Sequence, residues 1–360
     1  MNTSGCRHRR GGSDAARLRR AAVLLGSIAF LVGGCTGTSL PPPADVGLDP
    51  PPLPITNDGS PRGPVHLTSF SPQSTDGWTP ASVPKPAGGP GDSTFGNLPS
   101  LELATDGPLA RMVLPTNDGP WSPDQAVLPW AEFHDDAVTV HNIRNAYYRT
   151  VDDYTVRLYD KTFDLRRLTS VDLIVVPFND TPSIAHVMLS FGFQDKDFLV
   201  SSVEIRKRTG QSYSALAGFF NQYTLMYVLA DERDVIWKET MGFLCEADLY
   251  RTKATPRQAQ EMFVDVMQRA NKLARRPEFY NTVTNNCTTN VRTHVNHLLP
   301  DRVPYDYRVL LPGYAPEMAY DLGLIEKHGT FEQTKAAAKI NFKAYLYYED
   351  PGFSQKIRRN

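Results

Sequence analysis

The chain has 360 residues and a formal net charge of −1. That length supports one large domain or two small ones. The near-neutral balance supplies no basic field to gather nucleic acid and no acidic excess, so nucleic-acid binding is not expected.

In chain order, the first signal is a leader. Arg7, Arg9, Arg10, Arg17, Arg19 and Arg20 precede an apolar run from Ala21 to Val32. A run of about a dozen residues is too short to cross a bilayer and reads as the core of a signal peptide. It ends in Leu-Val-Gly-Gly-Cys, which resembles a bacterial lipobox. The resemblance implies cleavage after residue 34 and lipidation of Cys35, with a membrane lipid as its partner. Thr36 after the cysteine resembles lipoproteins sorted to the outer membrane. An ordinary secretory leader with a chance cysteine is the alternative. No later run is apolar enough to span a membrane.

Residues 36–120 contain 18 of the 29 prolines and show no apolar periodicity. Such a stretch cannot bury enough surface to offset its ordering entropy. Residues 35–120 are therefore expected to form a disordered tether, with a coil dimension of roughly 50 Å for a chain of that length. The folded domain is expected over 121–360.

Within it, Val171–Phe178 is a continuous, β-branched apolar run that reads as a buried strand. Residues 185–193 and 198–206 read as a hairpin joined by Gln-Asp-Lys-Asp. Residues 222–230 read as another strand, with 234–240 as its possible partner. A helix is expected after Thr255, with Pro256 at its first position and Gln258 closing a capping box. Its inward stripe is Ala259, Met262, Phe263, Val266, Met267, Ala270 and Leu273. A second helix starts at Cys287, capped by Asn285 or Asn286, and turns Val291, Val295, Leu298 and Leu299 inward. Strands followed by helices predict an α+β fold with an antiparallel sheet.

Once the leader and Cys35 are set aside, two of the four cysteines remain. Cys245 and Cys287 are able to pair in an oxidising compartment. Cys287 in a first helical turn would instead have its thiolate stabilised by the helix dipole. A buried structural cysteine is the competing reading. Among the histidines, His294 and His297 lie too far along Cys287's own helix for contact. His134 and His141 read as surface residues. A metal pair at His294 and His297 lacks an evident third ligand, and no cofactor motif is present. His186 opens an apolar strand. Strand parity puts it on the face of Ser202, Glu204 and Arg206 and opposite the Val187, Leu189, Phe191, Phe193 face. An odd-residue hairpin loop, or a bulge, keeps His186 in register with Glu204, the candidate to orient an imidazole. Arg206 suits an anionic group or a bridge to Glu204, although a solvated edge strand would alternate in the same way. Arg144 and Asn286 are further candidates for contacting substrate.

A histidine on a strand followed by Asn-Asn-Cys at a helix start resembles the circularly permuted papain-like group, which includes the lecithin–retinol acyltransferases. More closely, "HVMLSFGF", "SVEIRKRTGQSYS", "GFFNQY", "YVLADERDVI", "PEFYNTVTNNCTTN" and "LLPGYA" resemble the Lnb N-terminal periplasmic domain family over about residues 121–325. The resemblance implies an envelope protein with a Cys/His thiol site, in which Cys287 is the nucleophile and His186 the base. It also implies acyl transfer from a phospholipid donor to an amine acceptor, as in lipoprotein N-acylation. The family's namesake has a C-terminal membrane-spanning region that the residues up to Asn360 do not match. A cell-wall peptidase or amidase and a non-catalytic envelope lipoprotein stay open as alternatives.

Replacing Cys35 by alanine is expected to abolish labelling by radioactive palmitate and to move the protein out of the membrane fraction. Labelling that persists in this variant counts against the lipobox.

Overall fold

The computed structural model describes residues 114–211 and 222–359. The expected leader, Cys35 and the Pro-rich stretch as far as residue 113 lie outside the described residues. So does part of the segment between "SVEIRKRTG" and "QYTLMYVLA".

The described chain is α+β. Five strands come first: β1 Trp130–His134, β2 Ala137–Arg144, β3 Tyr147–Tyr148, β4 Tyr154–Thr155 and β5 Leu158–Asp164. The long strands follow as β6 Leu168–Phe178, β7 Thr181–Phe193, β8 Asp197–Arg206 and β9 Tyr223–Asp231. Helix α1 is Glu232–Trp237, and it widens into a π-type turn over Lys238–Gly242. Then come β10 Asp248–Arg251, α2 Pro256–Arg275, β11 Phe279–Tyr280 and α3 Cys287–Leu298. Short helices close the chain: α4 Tyr307–Leu310, α5 Ala315–Asp321, α6 Phe331–Ala338, α7 Asn341–Tyr347 and α8 Phe353–Lys356.

One sheet carries the fold, in the order β1-β2-β9-β8-β7-β6-β10, with β5 on β2 and β11 on β9. Its pairs are antiparallel, except that β2 meets β9 in parallel at Arg144 and Ala230. Both faces of the central strands are buried, which is why their sequences read as nearly unbroken apolar runs. On one face Val187, Leu189, Phe191 and Phe193 join Leu199 and Val203 beneath α2 and α3. On the other, Met188, Val200, Met226 and Val228 pack against Val235 and Ile236 of α1, Ala344 of α7 and Phe353 of α8. The sheet is therefore the middle of three layers.

Helix α2 forms as its sequence dictates. Thr255 and Gln258 make a reciprocal capping box, Pro256 opens the helix, and the buried residues are Ala259, Met262, Phe263, Val266, Met267, Ala270 and Leu273. Phe263 meets Phe191 and Phe193 edge-on, with ring centroids 5.2 and 5.5 Å apart. At the domain's start the chain is already fastened at Asn117, whose side-chain amide donates to the carbonyls of Leu273 and Ala274 at the end of α2.

The expected strand over 234–240 is instead α1 and its π-type turn. Val235 and Ile236 favour a strand locally. However, Glu232 and Asp234 are both buried and both ion-paired, to Arg358 and Arg144. Residues two apart on a strand share a face, and a helix is what turns these two carboxylates toward different partners. Tertiary pairing overrides propensity here.

A short turn, Pro312–Tyr314, packs against the first residues of β7. A Cβ built on Gly313 would lie 2.0 Å from the Pro182 carbonyl oxygen and 2.8 Å from the Ser183 carbonyl carbon. The glycine of "LLPGYA" thus permits backbone to lie on backbone three residues before His186. Gly313→Ala must push the two apart, and overpacking of this kind costs about 1–3 kcal/mol. The expected result is a melting temperature lower by several degrees together with slower alkylation of Cys287. An unchanged melting temperature would show that the contact is slack.

Candidate active site

Cys287 is the first residue of α3. Asn286 caps the helix: its side-chain oxygen accepts from the Thr289 amide at 2.9 Å, while the Thr289 hydroxyl accepts from the Asn286 amide at 2.8 Å. The Asn286 side-chain amide donates to the Thr282 carbonyl at 2.6 Å. Both ends of Asn286 are therefore engaged in holding the helix start, and it does not stand ready for substrate. Asn281 and Asn285 exchange backbone hydrogen bonds of 3.0 Å just upstream, which fixes the entry into the cap.

The inward side of α3 is held by a histidine as well as by aliphatic contacts. His294 is 3 % exposed. Its Nδ1 lies 2.6 Å from Asp265 of α2 and its Nε2 lies 2.7 Å from the Tyr227 hydroxyl of β9. Asn290 continues the network: its oxygen is 3.2 Å from that hydroxyl and its amide donates to Asn285 at 2.9 Å. His297 shares Asp265 from the helix's outer side. Among the described residues no group of three or more candidate ligands is placed to hold a metal ion.

His186 lies on β7. The hairpin loop is the three residues Gln194–Lys196, an odd number, with Gln194 and Asp195 both at positive φ. The ladder between β7 and β8 runs from Phe193 and Asp197 only as far as Met188 and Ser202. Beyond that point β7 stays on β6 and β8 stays on β9, and the two strands part. The site sits in this opening. Cys287 arrives from the helix layer beneath one face, and its Sγ lies 3.9 Å from the Ala185 carbonyl. The Thr288 hydroxyl lies 3.8 Å from the sulfur, and the His186 imidazole and the Val187 amide act on it electrostatically.

The electrostatics follow from this contact. Burial pushes the Cys287 thiol up. The hydrogen bond and charge of His186, with the Val187 amide and the Thr288 hydroxyl, outweigh burial and bring it below its ordinary value. Burial pulls His186 down, but Cys287, then Glu239 and Glu204, raise it to about 9. Each partner favours the charged form of the other, which describes a thiolate–imidazolium pair.

Behind the imidazole the order of partners differs from expectation. His186 Nε2 is 2.7 Å from the Ser202 hydroxyl, and that hydroxyl is 2.9 Å from Glu204 Oε1. Glu204 acts through Ser202 because the ladder that would have set it directly across from His186 has already opened. The other oxygen of Glu204 accepts from Gln125 at 2.9 Å. Burial raises the Glu204 carboxyl, but Lys238, Arg144 and His186 outweigh it and hold the group below the usual range.

The two arginines expected to meet substrate are engaged elsewhere. Arg144 is 2 % exposed and makes a two-pronged bridge to Asp234, with Nη2 to Oδ1 at 2.8 Å. Arg206, also 2 % exposed, donates to the carbonyls of Gln125 and Ala126 at 3.0 and 2.6 Å and lies over the Trp121 ring. It makes no bridge to Glu204. Of the remaining candidates, His134 is exposed, whereas His141 is half-buried between the Trp130 ring and Asp160. Arg233 donates to the Asp350 carbonyl. Cys245 and Cys287 are both buried, but in the cores on opposite faces of the sheet, so the possible disulfide is not formed. Sequence reasoning missed Ser202, Lys238 and Glu239. Ser202 had a signal, a hydroxyl on the polar face of β8. The other two fell in the stretch read as a strand.

The Lnb N-terminal periplasmic domain family has a sequence model that matches residues 154–313. Over that stretch the chain is similar to this family. The matched stretch runs from β4 to Gly313 and includes His186, Ser202, Glu204 and Cys287. No curated protein and no solved structure matches the chain. A periplasm-facing chain fits the family's description. Among the described residues no helix is long and apolar enough to cross a membrane.

Alkylation by iodoacetamide is expected to modify Cys287 at lower pH than an ordinary thiol, because its thiol is lowered. His186→Ala leaves burial as the dominant influence, so the inflection should rise above the ordinary thiol value of about 8.5 and the rate at pH 7 should fall at least tenfold. Ser202→Ala should give a smaller, severalfold loss, in line with one hydrogen bond of about 1 kcal/mol. An unaltered pH profile in His186→Ala would sever the two residues.

Proposed function

We propose that the chain is an envelope-anchored, periplasm-facing thiol enzyme that forms an acyl intermediate on Cys287. We read its arrangement as permuted papain-like: the histidine comes first on a strand and the cysteine later at a helix start. The observation that carries this reading is the placement of Cys287 at the start of α3, its sulfur 3.9 Å from the carbonyl of Ala185, the residue before a His186 held by Ser202; the lowered thiol and the imidazole raised to about 9 agree with it.

The chemistry follows from the contacts. The Cys287 thiolate attacks the carbonyl carbon of an ester; the C–S bond forms and the carbonyl electrons move onto oxygen. The amides of Cys287 and Thr288 have no acceptor within the helix and are the donors for that oxyanion. As the tetrahedral species collapses, the ester C–O bond breaks and the His186 imidazolium gives its proton to the departing alkoxide. An amine then attacks the thioester, forming C–N and breaking C–S, and neutral His186 takes the amine's proton. Ser202, held by Glu204, fixes the plane of the imidazole throughout. A phospholipid as donor and an amine as acceptor make the enzyme an N-acyltransferase. The lipid anchor at Cys35 and outer-membrane sorting belong to the same proposal.

The pH dependence has a definite sign. The resting pair needs thiolate and imidazolium together. It is lost as pH falls through the lowered thiol value and lost again as pH rises through about 9. A bell-shaped profile with its upper limb near 9 is expected.

Incubating the full chain with phospholipid and no amine should load a fatty acyl group on Cys287, removable by neutral hydroxylamine. Cys287→Ala should load nothing, His186→Ala at least a hundredfold more slowly, and Cys245→Ser normally. Peptidoglycan fragments cleaved without a lipid adduct would make it a peptidase. Neither adduct nor cleavage, with Cys287 shown to be reduced, would leave a non-catalytic lipoprotein.

A further inference from the structure

Helix α7 presents an apolar face to solvent. Phe342, Tyr345 and Leu346 are 75 %, 74 % and 55 % exposed, while Ala344 on the opposite side is fully buried. The spacing i, i+3, i+4 sets the three exposed residues on one stripe. Beside them lie Phe243 and Leu244, 37 % and 73 % exposed, at the end of the π-type turn. The two pieces are held together. Helix α7 packs on that turn, and Asn341 brackets the chain after Leu244, donating to the Cys245 carbonyl at 2.7 Å and accepting from the Ala247 amide at 2.9 Å. Leu244 stands at φ 57°, a conformation an L-residue adopts only when its surroundings impose it.

We propose that this stripe is an interfacial docking face for a bilayer containing anionic lipid. Three observations favour that occupant. The face combines aromatic rings and leucine with a basic neighbour, Lys343 within α7, the composition that seats a helix at a headgroup boundary. The stripe is too small to hold a protein on a membrane alone, and stable attachment takes two signals. An acyl anchor at Cys35 supplies the second: 78 residues lie between Cys35 and Leu114. This clause rests on the anchorage in the reading above. Anchorage at the far end of that stretch keeps the domain near the surface and makes a weak contact effective. Finally, the π-type turn that leads into Phe243 and Leu244 also carries Glu239, whose charge acts on His186. Docking on this face therefore brings the turn beside the thiol site to the lipid.

The test uses the full chain carrying Cys35→Ala, so that no acyl anchor contributes. Flotation with vesicles of three parts phosphatidylethanolamine to one part phosphatidylglycerol should recover this protein, and less well when phosphatidylglycerol is omitted. Adding Phe342→Ser, Tyr345→Ser and Leu346→Ser should cut vesicle binding at least tenfold, with the circular dichroism spectrum and Cys287 alkylation rate retained. A single Leu346→Cys, labelled with an environment-sensitive fluorophore, should shift to the blue on adding vesicles. Equal flotation of the parent and the triple variant overturns the proposal. So does a parent dimer that the triple variant dissociates without vesicle binding, which assigns the face to a second copy. Loss of the anchorage reading has its own signature, absent acyl labelling at Cys35 in the unmutated chain.

Discussion

A thiol beneath one face of a sheet and an imidazole on the other meet only where the sheet opens. Alternation along β7 puts Val187 with the core under α2 and α3 and sends His186 to the opposite side, with Met188. Cys287 comes from the first of those sides. Were the β7–β8 ladder to continue past Met188 and Ser202, backbone hydrogen bonds would fill the space between them. The parting of the strands there is what the site depends on, and other features serve it. Gly313 lets the Pro312–Tyr314 turn lie on β7 just before the opening. Gln125 reaches Glu204 from the segment that enters on the β8 side. His294, Asp265 and Tyr227 tie α3 to α2 and β9, so the helix start cannot drift from the gap.

Behind His186 lies a set of buried charges whose balance matters more than any one pair. Arg144 bridges Asp234, and Lys238 lies 2.7 Å from Asp124. Glu204 is the carboxylate left without a cation in contact, and it is tied instead to Ser202 and Gln125. Two cations face three carboxylates, and the missing positive charge is the imidazolium. Glu239 does not add a fourth fixed charge in full, since burial pushes its carboxyl up against the pull of His186 and Lys238. Breaking one such buried bridge strands its partner, which costs about 3–5 kcal/mol, so Arg144 matters to the site without touching substrate.

Much of this was legible in the sequence where local rules and tertiary fate agree. The capping box at Thr255, the stripe of α2 and the start of α3 at Cys287 are set by residues within one or two turns, and each formed as read. The hairpin register followed from parity and an odd loop. Misreadings arose where a residue's role depends on distant partners. Val235 and Ile236 looked like strand until Arg358 and Arg144 claimed Glu232 and Asp234. Arg144 and Arg206 looked like anion binders because nothing local reveals that Asp234, 90 residues away, or the carbonyls of Gln125 and Ala126, about 80 residues away, absorb them. Parity placed Glu204 on the right face but could not reveal where the ladder ends, and so Ser202 was missed.

Burial also bears on what the thiol accepts. Cys287 is 5 % exposed, and burial alone would make it a poor nucleophile, because the thiolate loses hydration. Its activation therefore rests on His186 and the Val187 amide rather than on solvent. A thiolate held in this way gains from further drying, since Coulombic and hydrogen-bond interactions strengthen as water leaves. An acyl chain entering such a site sheds no strongly bound water and expels what remains. A charged peptide would have to give up its own hydration, and Arg144 and Arg206 are engaged elsewhere. In the acyl-transfer reading proposed above, the same burial that hides the thiol would favour an apolar acyl donor over a charged one.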